Sequence, residues 1–238
     1  MKLTASISMA LIVIGSTFVS AQEASVRPGI NDSFRDADPT KFTERFEVES
    51  REVFALRNEI VAAIGLKPGQ TIADIGAGTG LFTRLFSPAV GKDGRVIAVD
   101  ISKNFLEHIE TSCREAGLRN VETLLCGDDT TRLPEDSVDV AFICDTYHHF
   151  EFPLKTMTSL LKALKPGGRV VVIDFQRIPG ESSEWTMNHV RAGREVFEAE
   201  IIQVGFAKVA EPKDLLKENY MMVFQRPDAP KQAADSAE

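Results

Sequence analysis

Residues 144–150 read CDTYHHF, and four of them can carry proton chemistry: Asp145, Tyr147, His148 and His149. Imidazoles beside a carboxylate and a phenol suit general acid/base work or the positioning of a nucleophile. Consecutive side chains point in different directions, so not all four can face one pocket. His148 or His149 is the candidate acid/base or acceptor-positioning group, with Tyr147 the third candidate catalytic residue. The competing reading has a histidine capping the next helix or packing over a ligand. Adjacent histidines seldom hold one ion without further donors. Only Asp145 and Cys144 stand near them in the chain, so no metal is expected.

A second stretch, IADIGAGTGLF at 72–82, places Gly76, Gly78 and Gly80 at alternate positions, with Ala77 between the first two. Glycine permits a tight turn and a close backbone approach to a ligand, and the N–H groups opening the next helix face the same space. The triplet alone is weak evidence. Its neighbours sharpen it. Asp100 ends VIAVD, where a carboxylate can accept from ribose hydroxyls, and Ile101 beside it can pack on a purine. CGDDT supplies Asp128 and Asp129, placed to accept from an adenine amino group. Asp74 precedes the glycines, where an anion repels a pyrophosphate and attracts a cation. The spacing is GxGxG and not the GxGxxG of dinucleotide sites. Together these residues describe an adenosine carrying positive charge, and S-adenosylmethionine meets that description. Asp145 or Tyr147 would then lie near its methionine moiety. The alternative leaves Asp74 capping a turn and Asp129 solvated.

The elements that must present these residues follow from hydrophobic rhythm. Asp38-Pro39 is a helix start, and apolar residues from Phe42 to Ile64 recur near a helical period, predicting one long or two broken helices over 39–64, ended by Gly65. Strands are predicted at 71–76, 95–100, 121–127, 137–145 and 169–175. Helices are predicted at 79–86, 102–116, 154–164 (stopped by KPGG) and 188–204, then strand-like FAKVAEP and YMMVFQR. Unalternating Val/Ile strands separated by helices indicate a mostly parallel α/β sheet covered on both faces. The last two strands lack a helical crossover and suit an antiparallel end. Residues 22–38 read as an extended arm, 39–227 as one domain with a helical cap at 39–64, and 228–238 as a disordered tail.

The N-terminus is of another kind. Lys2, an apolar stretch from Met9 to Val19 and the small residues Ser20 and Ala21 form a signal-peptide pattern with cleavage after Ala21. It predicts export to a periplasmic or external space, with no stable membrane insertion after cleavage. The 238 residues carry net charge −8, which gives no electrostatic reason to expect binding to nucleic acid or an anionic membrane. Three cysteines, Cys113, Cys126 and Cys144, cannot pair completely and read as small core residues.

On IADIGAGTG, Asp100, CGDDTTRLP, VDVAFICDTYHHF and LKALKPGGRVVVIDF, the chain resembles class I S-adenosylmethionine-dependent methyltransferases over roughly 58–227, in the style of the ubiquinone/menaquinone-biosynthesis enzymes. The resemblance implies a Rossmann-like seven-stranded sheet with a terminal antiparallel strand, helices on both faces, and methyl transfer to a small-molecule acceptor. It identifies neither the acceptor nor the oligomeric state. The acceptor pocket is expected to close under residues 27–31 and 42–52, with Glu47, Glu49 and Arg51 as candidates to reach it. Trp185, Met187 and His189 are positional candidates for the opposite wall. Competing readings are a non-catalytic S-adenosylmethionine-binding module and a nicotinamide oxidoreductase.

Overall fold

Alternate residues of the central strands are buried on opposite faces of one sheet. Ala73, Ile75, Ala141, Ile143, Val170 and Val172 pack with one group of buried residues, and Ile72, Val140, Phe142, Val171 and Ile173 with another. A strand buried on both faces is largely apolar, as these are; the buried Asp74 and Asp174, near their carboxyl ends, are exceptions. The computed structural model describes residues 22–228; the signal peptide expected at 1–21 and the expected tail from 229 onward lie outside them.

The chain first forms α1 (Asp32–Arg35), α2 (Pro39–Phe46), α3 (Glu52–Ala55) and α4 (Arg57–Ile64). It then alternates β1 (Thr71–Ile75), α5 (Leu81–Val90), β2 (Arg95–Asp100), α6 (Lys103–Glu115), β3 (Val121–Leu125) and β4 (Val138–Cys144). A 3₁₀ turn at Tyr147–His149 leads to α7 (Pro153–Ala163), β5 (Leu164–Phe175), α8 (Glu184–His189), α9 (Arg194–Val204), β6 (Ala207–Ala210) and β7 (Asn219–Gln225). The seven strands lie in the order β3-β2-β1-β4-β5-β7-β6. β1 pairs in parallel with β2 and β4, and β4 with β5, whereas β7 runs antiparallel to both its neighbours. Helices α7 and α9 cover one face through Met157, Leu160, Phe197 and Ile201; α4 and α5 cover the other through Ile60, Ile64, Phe82 and Phe86. The expected fold class is the observed one.

Several boundaries differ from expectation. The 39–64 segment is three helices, because Glu47 leaves helical geometry after Phe46 and Arg51 is extended before Glu52. Gly65 does end it, in the left-handed conformation. The arm at 22–38 is not wholly extended, since it contains α1. The helix expected at 79–86 begins only at Leu81, after a left-handed Gly80. The KPGG expected only as a helix stop lies inside β5, where the register against β4 shifts between Val138 and Val140. The helix expected at 188–204 is two, α8 and α9, separated by an extended Gly193. All three cysteines are free thiols. No helix among the described residues is long and apolar enough to cross a membrane.

Strand order reverses between β1 and β4, so their carboxyl ends frame a crevice, the usual ligand position in an open α/β sheet.

Candidate active site

Two adjoining cavities fill that crevice. The larger, about 520 Å³, is lined by Asp74, Gly76, Ala77, Gly78, Cys144, Asp145, His148 and His149 from the strand ends, and by residues of the N-terminal cap and of α8. The smaller, about 100 Å³, is lined by Asp100, Ile101, Phe105, Asp128, Thr131 and Phe150. Gly76, Gly78, Phe34, Phe46, Thr146 and His149 border both.

The glycine turn is shaped by contacts that a side chain would destroy. Gly76 has φ +69°, and a Cβ there would fall 2.2 Å from Cγ2 of Thr146. Its N–H and that of Ala77 donate to the Val99 carbonyl, so the turn is tied to β2 and these two donors are already used. Gly78, at φ +54°, differs: it borders both cavities, and a Cβ on it would meet nothing nearer than 4.0 Å. Gly80 lines neither cavity; a Cβ on it would strike Ile109 of α6 at 2.6 Å, so its role is packing.

The carboxylates divide by environment. Asp100 is buried and accepts from the backbone N–H groups of Gly78 and Ser102 at 2.9 and 2.8 Å. Burial pushes its pKa up, with those backbone donors acting against the shift. A carboxylate has roughly four acceptor sites, so both oxygens keep capacity for a ligand's hydroxyls. Asp74 accepts from Thr83 Oγ1 at 2.6 Å, and burial raises its carboxyl to about 7 despite that bond. Asp145 adopts φ +48°, a conformation unusual outside glycine but tolerated by aspartate. Its carboxylate is held by Arg51 at 2.5 Å and by Asn219 Nδ2 at 2.6 Å, and burial still raises its pKa, opposed by Arg51. Asp128 borders the smaller cavity but pairs with Arg35 of α1 at 2.6 Å. Asp129 lines neither cavity and faces Lys155 at 3.5 Å. Burial likewise keeps the Cys144 thiol protonated, its pKa raised well above the usual value, and lifts Cys126 to about 12.

The three candidates of the CDTYHHF stretch separate as divergent side chains require. Tyr147 is removed from the site: its ring is wholly buried in the core against Phe150 and Phe197. His148 borders the larger cavity and is pinned by Asp174 at the end of β5. Its Nδ1 lies 2.8 Å from Oδ1 of Asp174, and its backbone N–H donates to the other oxygen at 3.1 Å. That arrangement leaves Nε2 buried without a partner. His149 has Nε2 3.2 Å from Nε2 of His189, and its Nδ1 is also buried and unpartnered. Burial first, then the neighbouring His148, depresses His149 to about 2 and His189 to about 4, so both rings are neutral.

His189 comes from α8, 40 residues on. With Trp185, one helical turn earlier, it shares the face that meets the cavity, the rings stacked at 4.6 Å. Met187, halfway round the helix, does not line the cavity. From the other side the arm closes the site. Asn31 Nδ2 donates to the His149 carbonyl at 3.0 Å, and Arg27 donates to the carbonyls of His189 and Asn188. Phe34 sets its edge on His149, with ring centroids 5.0 Å apart. Of the three cap candidates, Arg51 reaches the cavity. Glu47 instead fastens the cap to the glycine turn through Arg84 and Thr79, and Glu49 stays outside with Arg57. Residues missed in the sequence include Phe34, Thr146 and Asp174, whereas Phe46 falls in the 42–52 segment expected to close the pocket. Only Asp174 had a readable signal, an acid closing VIDF as Asp100 closes VIAVD.

Residues 73–172 match the family model of a methyltransferase domain. The sheet they lie in has the Rossmann-like fold of class I methyltransferases. The UbiE protein of Vibrio vulnificus strain YJ016, a ubiquinone/menaquinone biosynthesis C-methyltransferase, is 33% identical over 114 residues, 48% of this chain and 44% of that protein. The Salmonella arizonae UbiE protein is 32% identical over the same length, covering 45% of its own chain. The chain thus spans less than half the length of the curated relatives it matches. A SAM-dependent methyltransferase of Aquifex aeolicus superposes with TM-score 0.70 at 24% identity, covering 80% of this chain and 99% of that one. Geranyl diphosphate C-methyltransferase of Streptomyces coelicolor, solved with S-adenosyl-L-homocysteine, gives 0.60 at 15% identity, over 72% of this chain and 79% of that one.

The cofactor implied by the methyltransferase domain is S-adenosylmethionine, and the residues present fit it. Gly78 borders both cavities, and without a Cβ it lets a ligand approach the backbone there. Asp100 and Ile101 stand in the smaller cavity, and Asp74 and Asp145 line the larger one with negative charge when ionised.

Proposed function

We propose that the chain is an exported S-adenosylmethionine-dependent methyltransferase that modifies a small-molecule acceptor. One observation carries this reading: at the strand-order reversal, a small cavity lined by the buried Asp100 carboxylate adjoins, across Gly78, a larger cavity walled by aromatic rings and imidazoles. When bound, the cofactor supplies an electrophilic methyl group on a sulfonium.

The chain's own residues would divide the remaining work. Asp100 accepts from the ribose, and Ile101, Phe105 and Phe150 enclose the base. Asp74 and Asp145 face the positively charged part. The acceptor lies between Phe34 and Phe46 of the cap and Trp185 and His189 of α8, where the enclosing cap excludes water and fixes its approach. Such alignment is the principal contribution a protein makes to a transfer of this kind. His149 is neutral and Nε2 of His148 carries no partner, so both offer lone pairs toward the space where the acceptor is held. Export rests on the Lys2–Ala21 pattern, and small-molecule specificity on a cavity of about 520 Å³ at the strand ends.

The test is incubation of the mature protein with methyl-labelled S-adenosylmethionine and a cell-envelope extract. Carbon acceptors are included beside hydroxyl and thiol ones, because the UbiE relatives are named C-methyltransferases. Label is expected in the low-molecular-weight fraction. Cofactor binding without transfer to any fraction would instead support a non-catalytic binding module.

A further inference from the structure

The three histidines on the cavity wall are arranged as ligands. One ring nitrogen from each of His148, His149 and His189 lies within 4.8 Å of those of the other two. Two nitrogens bound to one ion at about 2.05 Å and a tetrahedral angle stand about 3.3 Å apart. His149 Nε2 and His189 Nε2 are 3.2 Å apart already. His148 is 1% exposed, and its Nε2 has no hydrogen-bond partner while Nδ1 is engaged by Asp174. A carboxylate on the far nitrogen of an imidazole is the usual outer support of a metal-bound histidine, fixing tautomer and ring orientation. A hydrogen bond between His149 and His189 alone satisfies neither His148 Nε2 nor the need to bring three neutral or cationic rings together in a half-buried wall.

We propose that His148, His149 and His189 bind a divalent transition-metal ion of the zinc class, with Asp174 supporting His148 from behind and one coordination position open to the larger cavity. Three nitrogen ligands with a free position is the pattern of sites that engage a substrate, whereas sites with four protein ligands are structural. The open position faces the space assigned above to the acceptor, so the ion would hold an acceptor through an ionisable oxygen or sulfur. That role rests on the methyltransferase reading; metal binding itself does not. The 3₁₀ turn and α8 are joined through this cluster, and the arm holds both, through Asn31 on the His149 carbonyl and Arg27 on that of His189. The ion would therefore also fasten α8 to the sheet.

The experiment uses full-length mature protein purified without a polyhistidine tag and stripped with a chelator, then titrated with cobalt(II). One ion per chain is expected, with the intense visible bands of a four-coordinate nitrogen site, displaced by equimolar zinc(II). His189→Ala and His149→Ala should each abolish the bands while retaining the wild-type far-ultraviolet circular dichroism. Zinc(II) should raise the wild-type melting temperature and not that of His189→Ala. No stoichiometric uptake by the wild type overturns the proposal, as does cobalt bound equally by wild type and both variants. Calorimetry with S-adenosylmethionine on the same samples separates the two readings. Cofactor binding without metal uptake defeats the metal site alone, and metal uptake without cofactor binding defeats its assignment to an acceptor.

Discussion

Asp74 stands in the wall of a cavity suited to a cation, and burial has raised its carboxyl to about 7. In the unfolded chain it ionises near 3.8. Between those values the native state holds a proton that the unfolded chain has released, so this group's contribution to stability falls as pH rises through that window. A bound cation favours the ionised form. Binding of S-adenosylmethionine at pH 6 should therefore release about one proton, and affinity should rise with pH toward 7. Calorimetry in two buffers of different ionisation enthalpy measures this; equal heats, or proton release undiminished in Asp74→Asn, would refute it. Asp100→Ala should weaken cofactor binding by about 1–3 kcal/mol through lost hydrogen bonds to a charged acceptor, whereas Asp129→Ala, at a residue that lines neither cavity, should leave it unchanged. At this scale, legibility followed sequence distance. Gly76, Gly78 and Asp100 could be read because a strand end and the turn after it are local. His189 and Asp174 could not be joined to His148, because only the fold brings chain positions 26 and 41 residues apart to one imidazole. Tyr147 was misassigned since a 3₁₀ turn sends one of three successive side chains into the core.

At the scale of elements, the cap and the α8 insert are where the sequence was least informative. Their helices are short, and their positions come from contacts with distant segments: Arg51 with Asp145, Glu47 with Arg84, Arg27 with α8. The Arg51 pair offers a direct check. Asp145 is nearly buried, and Arg51 retains 28% side-chain exposure. Removing the guanidinium strands a carboxylate that only Asn219 still serves. Arg51→Ala should destabilise the fold by about 2 kcal/mol, below the 3–5 kcal/mol of a fully buried pair. Arg51→Ala combined with Asp145→Asn should recover part of that loss. Denaturant unfolding of both variants and the double mutant measures the coupling, and strict additivity would show that the pair does not hold the cap. By contrast Arg35–Asp128 is exposed on both sides, and Arg35→Ala should cost less than about 1 kcal/mol.

For the whole molecule, the strand–helix alternation and the missing crossover before YMMVFQR were enough to predict a parallel sheet with an antiparallel end. These patterns are set by burial on both faces of each strand, which composition records directly. What composition does not record is how the crevice is roofed, since the arm lies over strand ends more than a hundred residues away. A ligand that fills both cavities should stabilise the native state alone. At free S-adenosylmethionine 100-fold above its dissociation constant the gain is about 2.7 kcal/mol, or about 5–10 °C in melting temperature for a chain of this size.

The central claim is that this crevice takes S-adenosylmethionine. Its most direct test is titration of the purified protein with S-adenosylmethionine and, separately, with a nicotinamide dinucleotide. The account predicts one S-adenosylmethionine per chain and no comparable dinucleotide binding. Silence toward S-adenosylmethionine, or tighter binding of the dinucleotide, would contradict it.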